Sequence, residues 1–358
     1  MKNNSANIFI TDSDYSCTDK SFLYLLWFQP SLWWIVLTNK KLFIILDSRY
    51  FWKLKNIDEE NIRNIVWNNN LDIKYIESKD IISEIIKVTK KYPKLSIEWK
   101  VASEYTEKIR EKSEKEIIVL KWGYFSKKME QKNETEKQNI IKAIEIIDNV
   151  FLEIFKLVKS WEIIWKTELQ IKALIITNIF EFGWNWESFD SIVAFWPNSA
   201  IPHHSTWNTI IWNWPLLIDM WALYKWYCSD FTRTIWVWEK KGNYNEFIKY
   251  YEIVKKSHGI AFENTKLWMT WKEIDSLARN YIKKQWDWKL FTHWLWHWVW
   301  LNIHESPTIN QKSTKEIKDD MIFTIEPGIY IEWKFWIRLE NIVIMEDWEL
   351  KSFSKVLF

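Results

Sequence analysis

The chain has 358 residues, enough for two domains of common size with substantial cores. Its 49 basic and 47 acidic residues leave a formal net charge of +2, which gives no argument for binding nucleic acid or an anionic membrane. The apolar stretch 22–37 is broken at Gln29 and Pro30, which argues against a membrane span. Two cysteines, Cys17 and Cys228, make no disulfide framework, although they could form one bond, and we expect a soluble cytoplasmic protein.

Tryptophan and glycine occur in unusual proportions. The chain contains 30 Trp and 5 Gly, whereas ordinary usage of about 7% glycine would give roughly 25 glycines. It is also rich in Ile, Lys and Asn and contains only six Arg, which is typical of a very A/T-rich gene. Some bacterial lineages read UGA as glycine, and translation with another code would print Trp at each such codon. Composition alone therefore supports either a tryptophan-rich protein or one with glycine at the Trp positions.

The first 130 residues alternate short apolar runs with helical stretches. The segment IVLTNKKLFIILDSRYF predicts two strands joined by a polar turn at Asn39-Lys40, and DIISEIIKVTKKY predicts an amphipathic helix. Further strands are expected at 95–98 and 117–120. The charged segment SKKMEQKNETEKQN then predicts a domain boundary near residue 130, after a small mixed α/β domain.

The second domain, residues 131–358, alternates helices with pairs of strands. Apolar residues that recur every three or four positions predict a long helix at 140–158. The other predicted elements are helices at 167–180, 244–256 and 272–284 and strands at 191–194, 216–220 and 321–345. This order is compatible with a duplicated α+β unit.

Ionisable residues are concentrated in a few apolar segments, which suggests an enzyme. The segment PLLIDMWALYKWYCSDFTRTIWVW contains Asp219 and Asp230, each at the end of an apolar run, as expected for carboxylates on adjacent strands. Solvated turn acids are the alternative for either residue alone. The segment HWLWHWVWLNIHESP contains His293, His297 and His304, half of the six histidines of the chain. This concentration favours a functional cluster over structural histidines.

Two C-terminal segments add further acids. In FTIEPGIYIE, Glu326 ends an apolar run, which argues against a simple surface charge. In IRLENIVIM, the two-residue strand period predicts that Arg338 and Glu340 share a face, with a plain ion pair as the alternative. Two Asp, two Glu and one His form an oxygen-rich ligand set suited to a pair of divalent ions such as Mn²⁺, Co²⁺ or Zn²⁺. Such a pair can share a water, lower its pKa and stabilise a displacement.

With glycine at the Trp positions, these segments resemble a known family. They then read HGLGHGVGLNIHESP and LLIDMGALYKGYCSDFTRTIGVG, and residues 188–203 read SFDSIVAFGPNSAIPH. These are similar to signatures of the pita-bread metallopeptidases, the family of aminopeptidase P, prolidase and methionine aminopeptidase. The resemblance implies an α+β protein with a C-terminal pita-bread domain, a duplicated α+β catalytic unit, after a smaller mixed α/β domain of the creatinase/prolidase type.

The resemblance also favours the glycine interpretation. Four indoles would crowd His297, whereas glycines let backbone approach a metal closely. The positions concerned are Trp294, Trp296, Trp298 and Trp300. We therefore predict that most or all of the 30 tryptophans are glycine in the native protein.

The resemblance implies roles for the ionisable residues. The implied ligands of two divalent metal ions, with Mn²⁺ expected and Co²⁺ or Zn²⁺ as alternatives, are Asp219, Asp230, His297, Glu326 and Glu340. Glu326 would also handle the proton of the shared water. His203 matches the histidine near the scissile bond, although the adjacent His204 can be confused with it. The residues implied to line the substrate pocket or support the acidic cluster are His293, His304 and Arg338.

The implied activity is removal of an N-terminal residue that precedes proline, by an Xaa-Pro aminopeptidase or a prolidase that forms a homodimer. The segment LLWFQPS, read LLGFQPS, resembles the N-terminal domain that methionine aminopeptidases generally lack. Creatinase has that domain but lacks the metal ligands. Two alternatives stay open: a methionine aminopeptidase-like exopeptidase, and a non-catalytic peptide-binding module on the same fold.

Overall fold

The protein is described by a computed structural model that divides into two compact units, Met1–Met129 and Glu130–Phe358. The structure describes residues 5–11, 21–28, 33–66, 68–98, 103–120, 130–183, 190–196, 198–200, 204–285, 291, 295, 297, 313–331 and 334–358. Among the helices of these residues, none combines the length and the apolar character needed to cross a membrane.

In the first unit, the described residues form a six-stranded mixed sheet. Its strands are β1 (Ser5–Thr11), β2 (Trp33–Leu37), β3 (Lys41–Leu46), β4 (Asp72–Glu77), β5 (Lys94–Glu98) and β6 (Glu116–Leu120), and their order is β4-β3-β2-β1-β5-β6. Strands β1 to β3 pair antiparallel, whereas β3–β4, β1–β5 and β5–β6 pair parallel. Parallel neighbours require crossover connections, and helices supply them here.

The helices of the first unit follow the strands. They are α1 (Ser21–Leu26), α2 (Ser48–Phe51), which continues as a short 3-10 helix (Trp52–Asn56), α3 (Glu59–Val66), α4 (Ile81–Thr89) and α5 (Ser103–Ser113). Helix α3 connects β3 to β4 and α5 connects β5 to β6. Ile85 of α4 and Ile109 of α5 are fully buried with Ile45 and Ile97 of the sheet. Burial of these apolar side chains stabilises the helices on the sheet.

The predicted strand pair of the first unit is confirmed, but its second strand ends at Leu46, before the end of the predicted segment. The turn is closed by Thr38, whose N–H donates to Lys41 O (2.8 Å) and whose Oγ1 accepts from Lys41 N (2.9 Å). Strand β3 ends at Leu46 because Asp47 Oδ1 accepts from Arg49 N (2.9 Å) and caps helix α2. The predicted helix is also confirmed as α4, with Asp80 as its N-cap.

The second unit contains an antiparallel sheet in the order β12-β15-β11-β8-β7, with β16 paired to β15. The strands on this path are β7 (Ile192–Phe195), β8 (Pro215–Met220), β11 (Phe231–Trp236), β12 (Ile322–Ile325), β15 (Glu340–Glu346) and β16 (Glu349–Ser352). The described part of this unit also contains two hairpins, β9 (Leu223–Tyr224) with β10 (Tyr227–Cys228) and β13 (Gly328–Ile331) with β14 (Phe335–Arg338).

Among the described residues of the second unit, two pairs of helices cover the sheet. They are α6 (Glu134–Lys159), α7 (Glu168–Glu181), α8 (Tyr244–Asn264) and α9 (Trp271–Gln285). One apolar core joins α6 and α7 to β7, β8 and β11, and a second joins α8 and α9 to β12 and β15. The α+β fold with duplicated halves is therefore confirmed.

The second unit departs from the sequence-based prediction in two places. Helix α8 continues to Asn264, eight residues beyond the predicted end, because the apolar positions Val254 and Ala261 keep one face buried. The predicted strand 321–345 is four strands. The chain leaves β12 at Glu326, and β13 and β14 form a separate hairpin before β15 begins at Glu340.

Candidate metal centre

The sheet of the second unit aligns three acidic residues. Asp219 of β8 and Glu340 of β15 both pair with Thr232 of β11, from opposite sides. Directly paired residues project from the same face of a sheet, so these three side chains lie side by side. Asp230 precedes Thr232 by two residues and therefore joins the same face. The predicted placement of Asp219 and Asp230 near adjacent strands is confirmed.

His297, which lies beside strand β12, and Glu326, which follows β12, both reach this face. The N–H of His297 donates to Thr324 Oγ1 (3.0 Å), and Thr324 N donates to His297 O (3.0 Å). Glu326 N donates to Leu295 O (2.8 Å). These backbone contacts hold Leu295 and His297 alongside β12. Both side chains lie close to Asp230 and to Glu340 of β15.

The imidazole of His297 lies within 4 Å of three carboxylates. Its Nε2 is 3.1 Å from Asp230 Oδ2, 3.6 Å from Glu326 Oε1 and 3.7 Å from Glu340 Oε1. One ligand atom each of Asp230, His297 and Glu340 can be chosen so that all three lie within 4.8 Å of one another. The site thus combines several carboxylate oxygens with one imidazole nitrogen.

Arg338 connects the remaining acid to this group. Its Nη2 donates to Asp219 Oδ2, and its Nε donates to Thr232 Oγ1 (3.0 Å). The Thr232 hydroxyl in turn donates to Glu340 Oε2, which lies 4.0 Å from Arg338 Nε. Arg338 ends β14 and Glu340 begins β15, so the prediction that they share one strand is wrong. They are neighbours because the β13–β14 hairpin folds beside β8 and β11.

Burial and mutual repulsion perturb the pKa values of these carboxyl groups. Burial raises the pKa of Asp219 to about 6, against the opposing effect of Arg338. Burial and the neighbouring carboxylates raise the pKa values of Asp230 and Glu326 well above their usual range. Burial would lower the pKa of Arg338, but Asp219 and the other neighbouring groups raise it overall. A compact group of buried acids with one arginine therefore carries an excess of potential negative charge.

Several oxygen atoms of the cluster lack a donor within the described part of the chain. They are Asp219 Oδ1, Asp230 Oδ1 and Glu340 Oε1. Buried carboxylate oxygens without partners are costly, and divalent cations satisfy them. Oxygen ligands with one imidazole suit borderline divalent ions. The residues present therefore fit a metal site.

Comparison with known proteins is consistent with this chemistry. Residues 138–347 match metallopeptidase family M24. The chain belongs to family M24. It is 33% identical over 273 residues to an Xaa-Pro dipeptidase of Pyrococcus furiosus, across 76% of each chain.

Solved structures place this M24 protein in the Xaa-Pro aminopeptidase and prolidase group. The prolidase from Pyrococcus furiosus has a TM-score of 0.84 at 27% identity, covering 99% of this chain and 97% of its own. The X-Pro aminopeptidase from Thermotoga maritima has a TM-score of 0.80 at 26% identity, covering 98% and 96%. The fold is accordingly prolidase-like, with a small mixed N-terminal domain and a pita-bread catalytic domain, as the sequence predicted.

Of the sequence-predicted site residues of this M24 protein, the structure brings together six. They are Asp219, Asp230, His297, Glu326, Arg338 and Glu340. The predicted histidines His203, His293 and His304 lie outside the described residues, as do Trp294, Trp296, Trp298 and Trp300. Their predicted roles stay predictions.

Glu168 is a buried residue that the sequence reasoning did not single out. Its Oε1 accepts from Phe195 N (2.7 Å) and Asn198 Nδ2 (3.0 Å). Its Oε2 accepts from Trp207 N (2.9 Å) and lies 3.0 Å from His204 Nε2. An acid in the first turn of a helix is ordinarily read as a capping residue, so its sequence position gave no sign of this role. Glu168 instead links the end of β7 to Asn198, His204 and Trp207.

Thr232 was also missed, although a signal for it exists. It lies two residues after Asp230 in the segment DFTRT, and the strand period places both on one face. Its contacts with Arg338 and Glu340 make it the link between two parts of the cluster.

Proposed function

We propose that this M24 protein is a dinuclear-metal exopeptidase that hydrolyses the bond between an N-terminal residue and a following proline. The observation that carries the proposal is the buried cluster of four carboxylates, three of which lie within 4 Å of His297 Nε2. Several of their oxygen atoms lack donors among the described residues. Similarity to an Xaa-Pro dipeptidase supports the substrate class.

In this proposal, the two metal ions are held by five residues, Asp219, Asp230, His297, Glu326 and Glu340. We expect Mn²⁺, with Co²⁺ or Zn²⁺ as alternatives, because the set is rich in oxygen and has one nitrogen. Bound divalent ions would supply Lewis acidity that activates water and polarises a carbonyl group.

The protein's own residues orient the cluster and handle protons. Arg338 and Thr232 fix the carboxylates of Asp219 and Glu340 through the hydrogen bonds described above. Burial, followed by the effect of Glu340, raises the pKa of Glu326. A carboxyl group with a raised pKa is suited to accept a proton from the attacking water and return it to the leaving nitrogen. We therefore assign proton transfer to the Glu326 carboxylate.

Proline at the second position explains the need for a dedicated enzyme. Its nitrogen carries no N–H and its φ is restricted, so peptidases that require an amide hydrogen handle this bond poorly. We propose that His203, His293 and His304 bind the scissile carbonyl and donate to the departing ring nitrogen, which requires no amide hydrogen. These three roles rest on the sequence resemblance.

The substrate assay separates the candidate activities. Protein loaded with Mn²⁺ is offered Xaa-Pro dipeptides, Xaa-Pro-Xaa tripeptides, Met-Ala-Ser and matched Xaa-Ala peptides. Cleavage of the dipeptides alone indicates a prolidase, and cleavage of the tripeptides as well indicates an aminopeptidase P. Cleavage of Met-Ala-Ser alone would favour the methionine aminopeptidase alternative. Peptide binding without hydrolysis at any metal loading would favour the non-catalytic module.

The homodimer and the cytoplasmic location remain predictions. Light scattering on the purified protein measures the oligomeric state, and a monomer at working concentration would contradict the homodimer.

A further inference from the structure

Tryptophan is the most frequent residue type with positive φ among the described residues. Among the described residues, eleven non-glycine residues have positive φ, and seven of these are tryptophan. The seven, here called the left-handed tryptophans, are Trp27, Trp161, Trp165, Trp226, Trp238, Trp268 and Trp348, with φ between 60° and 77°. This conformation brings Cβ against the backbone, so bulky side chains rarely adopt it and glycine adopts it freely.

Two of the left-handed tryptophans lie in tight hairpins. Lys225 and Trp226, with φ of 47° and 73°, join β9 to β10. Asp347 and Trp348, with φ of 55° and 71°, join β15 to β16. A two-residue hairpin loop with both φ positive is a type I′ turn, in which Asn-Gly and Asp-Gly are strongly preferred. Trp348 therefore occupies the position where Asp347 predicts a glycine.

Two others follow the ends of helices. Helix α6 has Ser160 as its C-cap, and Trp161 is the next residue, with φ of 65°. Its N–H donates to Val158 O (3.3 Å). Trp27 directly follows α1, has φ of 60° and donates from its N–H to Leu23 O (2.9 Å). A left-handed residue just beyond a helix is usually glycine, because the turn that satisfies the last carbonyl groups needs that conformation.

The contacts of the indole rings contribute little stability to offset the cost of this backbone conformation. The side chain of Trp348 is 68% exposed, so its burial stabilises little. Elsewhere, the buried indole nitrogens of Trp34 and Trp336 have no hydrogen-bond partner within the described part of the chain. Buried indole N–H groups normally find an acceptor. Trp221 is almost fully buried beside the acidic cluster, with its ring 6.3 Å from that of His297.

We propose that the functional protein carries glycine at the left-handed tryptophans, encoded by UGA codons. Four of the seven positions lie outside the segments that carry the family resemblance, so the backbone observations there are independent of those motifs. They are Trp161, Trp165, Trp268 and Trp348. The same substitution at Trp221 would remove an indole from the side of His297 and leave room there for a peptide.

The proposal is tested directly by sequencing the gene and by mass spectrometry of the protein from the source cells. The seven codons are expected to be UGA, and mass spectrometry of the tryptic peptide from Leu339 to Lys351 is expected to show glycine at position 348. A UGG codon, or tryptophan in that peptide, would overturn the proposal. This outcome does not depend on activity, so it is separate from a failure of the proposed function.

Recombinant variants test the backbone argument. Trp348→Gly relieves a left-handed residue and is expected to raise Tm by about 2–4 °C. Trp207→Gly is the matched control, because Trp207 is also 68% exposed and does not have positive φ. It is expected to leave Tm unchanged or lower it, since glycine adds freedom to the unfolded chain. No rise for Trp348→Gly, or equal rises for both variants, would overturn the argument.

The chain with all 30 tryptophans is replaced as the parent protein of these variants if it does not fold. In that case the comparison is made in protein whose other tryptophans are changed to glycine, with position 348 or position 207 alone left as tryptophan. Tryptophan at 348 is then expected to lower Tm more than tryptophan at 207, and the reverse order would overturn the backbone argument.

Discussion

The buried acids of the second unit are individually unfavourable and depend on one another. Thr232 donates to Glu340 while accepting from Arg338, and Arg338 also binds Asp219. This arrangement pre-orients two carboxylates without satisfying all their oxygen atoms. A cation bound to the free oxygens would offset the cost of burial. Loss of one acid is therefore expected to have a larger effect than an ordinary surface substitution.

The first prediction concerns Glu326. Glu326→Ala removes one proposed ligand and the proposed proton-transfer group, so kcat/KM on the best Xaa-Pro substrate should fall by about 10²–10⁴-fold or more. Glu349→Ala is the control, because Glu349 is an exposed acid of β16, and it should retain activity within about twofold. Steady-state kinetics with Mn²⁺ measures both. Full activity of Glu326→Ala would reject the assignment.

Arg233 contacts the backbone of the acidic cluster at Glu340. Its guanidinium is buried and donates to Glu340 O (2.6 Å), Asn341 Oδ1 (2.7 Å) and Val356 O (2.8 Å). Burial lowers its pKa to about 9, against the opposing effects of Tyr251 and other neighbouring groups. The planar fork joins β11, β15 and the C-terminal segment at one point.

The second prediction is that Arg233→Lys weakens both folding and metal binding. A lysine cannot make the forked contacts, so buried carbonyl groups lose donors and unfolding free energy should fall by about 2–4 kcal/mol. The Kd for Mn²⁺ should rise because the backbone of Glu340 loses its support. Val254→Ala, a fully buried change on α8, should lower stability without changing this Kd. Titration calorimetry distinguishes the two variants, and equal Mn²⁺ affinities in both would contradict a positioning role for Arg233.

Helix α8 carries a titratable group into the core. His258 is buried, its ring packs against Phe358 with centroids 4.4 Å apart, and its pKa falls to about 3 through burial and then the charge of Arg233. A backbone hydrogen bond at Ile325 opposes this shift. The folded state therefore holds this histidine neutral over a range in which the unfolded chain protonates it.

The third prediction is a loss of stability in acid that depends on His258. Between about pH 3 and pH 6.5 the unfolded state binds more protons at this residue, so stability present above pH 6.5 is lost as pH falls. From pH 7 to pH 5 the loss should be about 2 kcal/mol. His258→Leu should lack this component, whatever its stability at pH 7. Urea unfolding of both proteins at the two pH values measures the difference, and equal pH dependences would contradict the prediction.

The proposed metal site belongs to one of the two compact units. All five proposed metal ligands belong to Glu130–Phe358. The start of that unit is fixed by Lys132 N, which donates to Asp320 O (2.9 Å), and by a capping box between Asn133 and Glu136. Gln131 Nε2 also donates to Asp319 O (3.1 Å). We propose that the catalytic domain begins near residue 130.

The fourth prediction follows from this division. Residues 130–358 expressed alone should unfold cooperatively and bind Mn²⁺ with the affinity of the full chain. A chain that begins at Lys137 loses the capping box and should be less stable by about 1–2 kcal/mol. Thermal unfolding and Mn²⁺ titration of the three proteins measure this. An aggregated or unfolded 130–358 fragment would contradict the proposed boundary.

Local pattern accounts for much of the fold. The strands β2 and β3, the helices α4, α6, α7 and α9 and the α+β class follow from apolar periodicity and turn residues, which act between neighbours in the chain. The acids Asp219, Asp230, Glu326 and Glu340 were recognisable because each interrupts or ends an apolar run. Their family resemblance required only the order of residues once glycine replaced tryptophan in the motifs.

Long-range pairing decided the rest. Thr232 lies between Asp219 and Glu340 because of the register of strands β8, β11 and β15. The paired residues of β11 and β15 are up to 110 positions apart in the chain, so the pattern within each strand does not identify its partner. The same holds for Arg233, whose acceptors come from two strands and the C-terminal segment. Local periodicity records which face of an element is apolar, whereas contacts between distant elements depend on how those faces pack.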